Sequence, residues 1–196
     1  MTKTSLAENA MNPEMARIRN EPSLRFFPSH DLADIFPLQG LIAFCADLAS
    51  LGKNLVGLEI GTGYAESATV ITAFPHVSFL HTCDVVNREP ARIQNLEQSG
   101  KLKFHEGKSL DVCKRFTPGL FDFIYIDGAH DAKSITEDLR NWIPKVKKGG
   151  LIGGHDYNYT HHLDVCVAVN EYAQSGGLKL YKDSSWSFTK PRKYLL

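Results

Sequence analysis

Four acids and two histidines in this sequence are placed where they could do chemistry together. Each acid lies at the end of a short apolar run that is typical of a buried strand; the acids are Glu59, Asp84, Asp127 and Asp156. The two histidines, at positions 130 and 155, lie within three residues of the last two acids. Carboxylates can hold a divalent cation, and histidine can accept a proton near neutral pH. If parallel strands bring these residues to one sheet edge, they could bind a cation or move a proton.

The first of these acids lies in a glycine-rich turn, with the sequence EIGTG at 59–63. The apolar run 56–60 reads as a strand, and 65–73 reads as a helix. The glycines permit positive φ and let a ligand approach the backbone, while the helix N-terminus favours acceptor groups. A strand, a glycine turn and a helix in succession predict the first unit of a nucleotide-binding α/β fold.

Residues of the turn discriminate among nucleotide ligands. A dinucleotide fingerprint needs a third glycine where this chain has Glu66, and a charged side chain there would repel a pyrophosphate. The Lys and Ser/Thr of a phosphate-binding P-loop are missing as well. The acid Glu59 instead suits a ligand that carries a cationic amine and no phosphate. The alternative is a turn that only joins strand to helix.

A second acid, Asp84, ends the predicted strand 77–84 about 20 residues beyond the glycines, which is where a Rossmann-like fold binds ribose hydroxyls. A loop cap is the alternative role for this residue. Together with the glycine turn, the position favours ribose binding.

The elements that would position these residues alternate along the chain. We expect a single domain over 1–196, in which 1–52 form an N-terminal helical cap segment and 53–196 form the cofactor-binding core. Helices are expected at 11–19, 39–51, 65–73, 90–98, 111–116, 133–142 and 163–174, and strands at 56–60, 77–84, 102–106, 121–127, 151–154, 178–182 and 185–189. A polar turn is expected at 147–150. His161 and His162 are expected in a surface loop, and Tyr125, Trp142 and Trp186 in the core.

The sequence DGAH at 127–130 is followed by a helix, KKGG at 147–150, a strand and HDY at 155–157. With the glycine turn, this arrangement resembles class I S-adenosylmethionine-dependent methyltransferases. It is most similar to the small bacterial group related to sugar and antibiotic O-methyltransferases, over about residues 55–180. Ala65 stands at the third small position of the usual first motif.

The resemblance implies a Rossmann-like, doubly wound sheet of seven strands, mostly parallel with an antiparallel C-terminal hairpin strand. It also implies S-adenosyl-L-methionine as the cofactor. The expected cofactor-binding residues are Glu59, Gly61, Thr62, Gly63, Tyr64, Ser67, Asp84, Ser109 and Asp127. Ser109 is expected near the adenine on the strength of the resemblance alone.

Two mechanisms remain open for the methyl acceptor. In one, His130 or His155 is a metal-free general base. In the other, Asp127 and Asp156 hold Mg²⁺ or another divalent cation, with His155 as an added ligand. Resembling catechol and macrolide O-methyltransferases use acids after strands four and five in this way. The expected catalytic residues are Asp127, His130 and His155.

We therefore expect methyl transfer to a small-molecule acceptor, by O-methylation. The alternatives are an N-methyltransferase of the same fold, a NAD-binding domain and a catalytically inert nucleotide-binding domain.

The 22 basic and 22 acidic residues cancel, so nothing indicates binding to nucleic acid or to an anionic membrane. A cytoplasmic protein is expected because there is no signal peptide or apolar run that could span a bilayer. Four widely spaced cysteines predict reduced thiols, and a homodimer is compatible with the sequence.

Overall fold

Seven strands form one sheet in the order β3-β2-β1-β4-β5-β7-β6 in the computed structural model, which describes residues 38–173 and 177–191. The strands are β1 Leu55–Ile60, β2 Val77–Asp84, β3 Leu102–Glu106, β4 Phe121–Ile126, β5 Val146–Gly154, β6 Lys179–Leu180 and β7 Trp186–Thr189. The α-helices are α1 Gln39–Asp47, α2 Glu66–Ala73, α3 Pro90–Gln98, α4 Ser109–Cys113, α5 Ala132–Trp142 and α6 Leu163–Ala173. The predicted helix at 11–19 and most of the predicted cap segment lie outside the described residues.

The sheet has the predicted Rossmann-like topology. Strands β1 to β5 are parallel, and β7 is antiparallel to both β5 and β6. The chain runs outward from β1 to β3 and then returns to place β4 on the other side of β1. This reversal of strand order opens a crevice beyond the carboxyl ends of β1 and β4, which is where such folds bind ligands.

The core consists of two apolar layers, one on each face of the sheet. Helices α1, α2 and α3 contribute to one layer, and α4, α5 and α6 contribute to the other. Because both faces are covered, the central strands are apolar almost throughout, as parallel sheets require. Tyr125, Trp142 and Trp186 are buried in the core as predicted, and the four cysteines are free thiols. Within the described ranges, the structure contains no helix long and apolar enough to cross a membrane.

Several element bounds differ from prediction. The strand expected at 178–182 spans only Lys179–Leu180, and the helix expected at 39–51 ends at Asp47 and continues as a 3-10 helix over Leu48–Leu51. Two other differences have a clear local cause. Helix α4 spans Ser109–Cys113 rather than 111–116, because Lys108 is extended and its carbonyl accepts hydrogen bonds from the backbone N–H groups of the first turn. Strand β5 begins at Val146, and the predicted polar turn at 147–150 is instead an irregular part of this strand. The strand accommodates these residues as a bulge against β4, with Gly149 at φ 77°.

Candidate functional site

The glycine turn joins β1 to α2 and uses its two glycines differently. Gly61 has φ 90°, and a Cβ atom there would lie 2.0 Å from the backbone oxygen of Asp127. Gly63 has φ 51°, and no described atom would lie within 4 Å of its added Cβ. The first glycine therefore allows the turn to pack against the loop after β4, while the second borders open space.

A cavity of about 640 Å³ lies beside this turn at the carboxyl ends of β1, β2 and β4. Its volume lies within the usual range for small-molecule sites. Five of the nine predicted cofactor-binding residues line it; they are Gly61, Gly63, Asp84, Ser109 and Asp127. The crevice predicted from the strand order is therefore open in the structure and is bordered by the glycine turn.

Asp84 is held at the end of β2 by two backbone hydrogen bonds. Its Oδ2 accepts a hydrogen bond of 2.9 Å from the Gly63 N–H, and its Oδ1 accepts one of 2.7 Å from the Val85 N–H. Each carboxylate oxygen keeps lone-pair capacity for a further donor. The side chain is thus fixed against the turn with acceptor capacity toward the cavity that it lines.

The acid Glu59 lies beneath the turn and outside the cavity lining. It is fully buried, and the Thr82 hydroxyl donates a hydrogen bond of 2.6 Å to its Oε2. Burial raises the pKa of Glu59 to about 8, although hydrogen bonds from Ser67 and Thr82 favour its charged form. Any effect of Glu59 on a ligand would therefore act through the turn rather than by contact from the cavity wall.

The other three predicted cofactor residues also lie outside the cavity lining. Thr62 is buried, and its hydroxyl lies 2.6 Å from that of Thr82. Ser67 is buried beside Glu59, and Tyr64 is 57% exposed. In this structure the turn therefore reaches the cavity through its glycines rather than through these side chains.

Ser109 lines the cavity after the edge strand β3, and its side chain joins two residues of α5. Its hydroxyl donates a hydrogen bond of 2.5 Å to Asp138 and accepts one of 2.7 Å from Trp142 Nε1–H. Burial raises the pKa of Asp138 to about 6 despite the Ser109 hydrogen bond. Sequence reasoning missed Asp138, yet a signal was present. It lies among Ile135, Leu139 and Trp142 at helical spacing, which places an acid on the buried face of α5.

On the other side of Asp127, the residues that follow β4 and β5 form a cluster around Asp156. His130 Nδ1 lies 3.0 Å from Asp156 Oδ2, and His155 Nδ1 lies 3.2 Å from Asp156 Oδ1. His155 Nδ1 also lies 4.0 Å from Asp127 Oδ1. The structure thus brings together Asp127, His130, His155 and Asp156, the four residues that the sequence placed around the methyl acceptor.

His162 lies in a loop, as predicted, but its partly exposed side chain also joins this cluster. Its Nε2 lies 3.5 Å from Asp156 Oδ1, and its ring centroid is 4.7 Å from that of His130. The His162 backbone N–H donates to the Asn158 carbonyl, so a tight turn carries the side chain back to the cluster. His161 is exposed, as predicted.

The charges in the cluster are strongly coupled. Burial lowers the pKa of His155, but its hydrogen bond to Asp156 and the charges of Asp127 and Asp156 outweigh burial and raise the pKa to about 9. Burial raises the pKa of Asp156, yet the adjacent histidines hold it below its usual value. Burial also raises the pKa of Asp127, against the charge of His155. Without a bound cation, His155 is therefore protonated at neutral pH and has no free lone pair with which to accept a proton.

Three residues of the cluster could hold a metal ion. Asp127, His155 and Asp156 each offer one ligand atom, and these atoms all lie within 4.8 Å of one another. Two carboxylates and one imidazole form a ligand set that fits a divalent cation. The predicted metal ligands are therefore close enough to share one ion.

This strand order, with a glycine turn beside a cavity at its switch point, defines the class I methyltransferase fold. Residues 58–157, just over half of the chain, match a family described as a methyltransferase domain. The chain belongs to this methyltransferase family. A search of curated proteins found no match to the sequence.

Solved structures share the fold at low sequence identity. A proposed caffeoyl-CoA O-methyltransferase from Staphylococcus aureus is 18% identical, with a TM-score of 0.64 over 91% of this chain and 97% of the other. The N-methyltransferase NodS from Bradyrhizobium japonicum is 18% identical, with a TM-score of 0.54 over 76% and 94%. The MycE methyltransferase of the mycinamycin pathway, in complex with Mg and SAH, is 15% identical, with a TM-score of 0.57 over 76% and 48%.

This chain covers about half of the length of some structures that it matches, with values of 44%, 50% and 48%. At such identities the likeness establishes the fold alone. It leaves the methylated atom and the acceptor to be argued from the site.

Proposed function

We propose that this enzyme methylates a hydroxyl group of a small molecule, with S-adenosylmethionine bound in the cavity beside the glycine turn. When bound, this cofactor supplies an electrophilic methyl group on its sulfonium. The open space at Gly63 supports this placement because any side chain there would enter the region that a ligand needs. Asp84 offers acceptor oxygens to ribose hydroxyls, and Asp127 lies at the boundary between the cavity and the histidine cluster.

The main support for a hydroxyl acceptor is the pair formed by His130 and Asp156. In this pair, His130 Nδ1 lies 3.0 Å from Asp156 Oδ2. A hydrogen bond from the His130 Nδ1–H to this carboxylate leaves the Nε2 lone pair free. The His130 side chain is 42% exposed, which is compatible with approach of an acceptor to the ring. In the proposed reaction, the His130 Nε2 would accept the hydroxyl proton, and Asp156 would stabilise the resulting imidazolium. The acceptor oxygen would take the methyl group as its bond to the sulfonium sulfur breaks, which would leave S-adenosylhomocysteine as the second product. A neutral amine is nucleophilic enough to attack before it loses a proton, whereas a neutral hydroxyl is a much weaker nucleophile and gains more from a base.

We further propose that Asp127, His155 and Asp156 hold a divalent cation. The cation would supply charge that lowers the pKa of the acceptor hydroxyl and orients it. A two-carboxylate set alone suits Mg²⁺, whereas an imidazole ligand favours Mn²⁺, Fe²⁺ or Zn²⁺. His155 must lose its proton to ligate a metal, so we expect cation binding to release a proton and to strengthen as pH rises.

The base is tested by His130→Ala, with the exposed neighbour variant His161→Ala as the matched control. We expect formation of S-adenosylhomocysteine with a panel of phenol, catechol and sugar acceptors to fall by about 10²–10⁴ in His130→Ala only. Affinity for S-adenosylhomocysteine should stay within about threefold, because His130 is outside the cavity lining. Unchanged turnover in a folded His130→Ala variant would remove His130 from the mechanism.

The cation is tested separately by metal titration and by chelation. Calorimetry should detect Mn²⁺ binding to the wild type and not to Asp156→Asn, with proton release in the wild type. EDTA should lower turnover, and Mn²⁺ or Mg²⁺ should restore it. Full turnover after metal stripping would refute the cation site and leave the role of His130 intact.

A further inference from the structure

The cavity wall formed by α4 and α5 holds a hydrogen-bond relay that the proposed reaction does not use. Trp142 Nε1–H donates to Ser109 Oγ at 2.7 Å, and Ser109 Oγ lies 2.5 Å from Asp138 Oδ1. Trp142 is fully buried and Asp138 is 5% exposed, so both partners are held by the core. Ser109 and Asp138 line the cavity.

The direction of each hydrogen bond in this relay follows from the chemistry of the three groups. An indole N–H can only donate, and an ionised carboxylate can only accept. The Ser109 hydroxyl must therefore accept from Trp142 and give its one proton to Asp138. Burial raises the pKa of Asp138 only to about 6, so the carboxylate is mainly ionised at slightly alkaline pH.

This arrangement leaves Ser109 with one free lone pair that a ligand in the cavity could use. A serine oxygen has one proton and two lone pairs. Asp138 receives the proton and Trp142 uses one lone pair, so one lone pair remains. Toward a ligand, Ser109 can therefore only accept a hydrogen bond.

We propose that Asp138 is a specificity-determining residue that acts through Ser109, selecting a purine with an amino group at position 6 over one with a carbonyl group there. The inference rests on the proposed placement of the cofactor in this cavity. An amino group at position 6 would donate a hydrogen bond to the Ser109 oxygen. A carbonyl oxygen there would face the Ser109 oxygen as a second acceptor, with no proton between the two. Asp138 is a positioning residue in this account because it fixes the direction of the Ser109 hydroxyl without touching the purine.

The test compares calorimetric affinities for S-adenosylhomocysteine and its deaminated analogue S-inosylhomocysteine at slightly alkaline pH. We expect the wild type to prefer the amino compound by about 10- to 100-fold, the effect of one hydrogen bond replaced by facing acceptors. In Asp138→Asn, the carboxamide N–H can donate to Ser109 and free the hydroxyl proton for the ligand. The preference should then shrink about tenfold. The ratio of two affinities within one variant is insensitive to a general loss of stability.

Ser109→Ala is a second variant, which removes the acceptor itself and should also reduce the preference. Glu137→Gln is the matched control, because it neutralises another acid of the same cavity wall without entering the relay. It should keep the wild-type ratio.

A wild-type preference that persists unchanged in Asp138→Asn and Ser109→Ala would overturn the proposal. Equal affinity of the wild type for both compounds would also overturn it, while leaving the cofactor placement intact. Failure to bind either compound would instead refute that placement and the proposal with it.

Discussion

The two glycines of the turn should respond very differently to replacement by alanine. At Gly61, the added methyl carbon would lie 2.0 Å from the Asp127 carbonyl oxygen and 2.6 Å from its carbonyl carbon. Both partners are backbone atoms, so the turn and the loop after β4 must separate. That separation strains the hydrogen bond of 2.8 Å from the Asp127 N–H to the Ile60 carbonyl.

The expected cost at Gly61 combines two effects. Forcing one carbon into a packed interior costs about 1–3 kcal/mol, and the left-handed backbone adds about 1–2 kcal/mol for a residue with a Cβ. Gly61→Ala should therefore lower the free energy of unfolding by roughly 2–5 kcal/mol. Gly63→Ala has the backbone cost alone, about 1–2 kcal/mol, because its Cβ meets no described atom within 4 Å.

Urea unfolding followed by tryptophan fluorescence measures both changes, since Trp142 and Trp186 are buried. We attribute the extra cost at Gly61 to packing within the protein, and the cost at Gly63 to backbone conformation alone. Equal destabilisation by the two substitutions, or a smaller loss at Gly61, would refute it. Gly63→Val should remain folded and lose affinity for S-adenosylhomocysteine, which separates its role from that of Gly61.

Two further predictions concern stability. Burial and the neighbouring His105 lower the pKa of His81 from 6.5 to about 4. As pH falls from 6.5 toward 4, the unfolded chain therefore takes up this proton before the folded chain does, and the free energy of unfolding decreases. Because His81 is half-buried, we expect a loss of about 1–2 kcal/mol between pH 6.5 and 5, measured by urea unfolding and reduced in His81→Phe; an equal loss in the variant would contradict this assignment. Asp183 accepts hydrogen bonds of 2.7 Å from the Gly40 N–H and 3.2 Å from the Ser185 N–H. Asp183→Ala should therefore cost about 1–3 kcal/mol, and an unchanged melting temperature would rule out this anchoring role.

The sequence predicted the elements best where a strong local pattern had clear limits. The strand at 77–84 and the helix at 90–98 have the predicted bounds, because Pro75 and Pro90 punctuate the chain and the apolar residues recur at the right period. The start of β5 was missed because Lys147 and Gly149 resemble a turn locally. Pairing of Val146 and Leu151 with β4 on either side of these residues turns them into a strand bulge.

The site was predictable in its residue types but not in its contacts. Acids at strand ends indicated one edge of the sheet, and the structure brings Asp127 and Asp156 together there. The approach of His162 depends on a turn after β5 in which Asp156 adopts φ 63°, a conformation that the sequence pattern does not signal. Likewise, the sequence shows an acid at position 59, but its burial under the turn follows from packing against Thr82 on the neighbouring strand.

Calorimetric titration with S-adenosylhomocysteine tests the central claim most directly, that the cavity beside the glycine turn binds the cofactor through Asp84. We predict one-to-one binding to the wild type and no binding of NAD. Asp84→Ala should weaken the affinity by about 10- to 100-fold, the effect of losing hydrogen bonds to a charged acceptor, while the variant remains folded. Failure of the wild type to bind S-adenosylhomocysteine, or undiminished affinity in folded Asp84→Ala and Gly63→Val variants, would contradict the account.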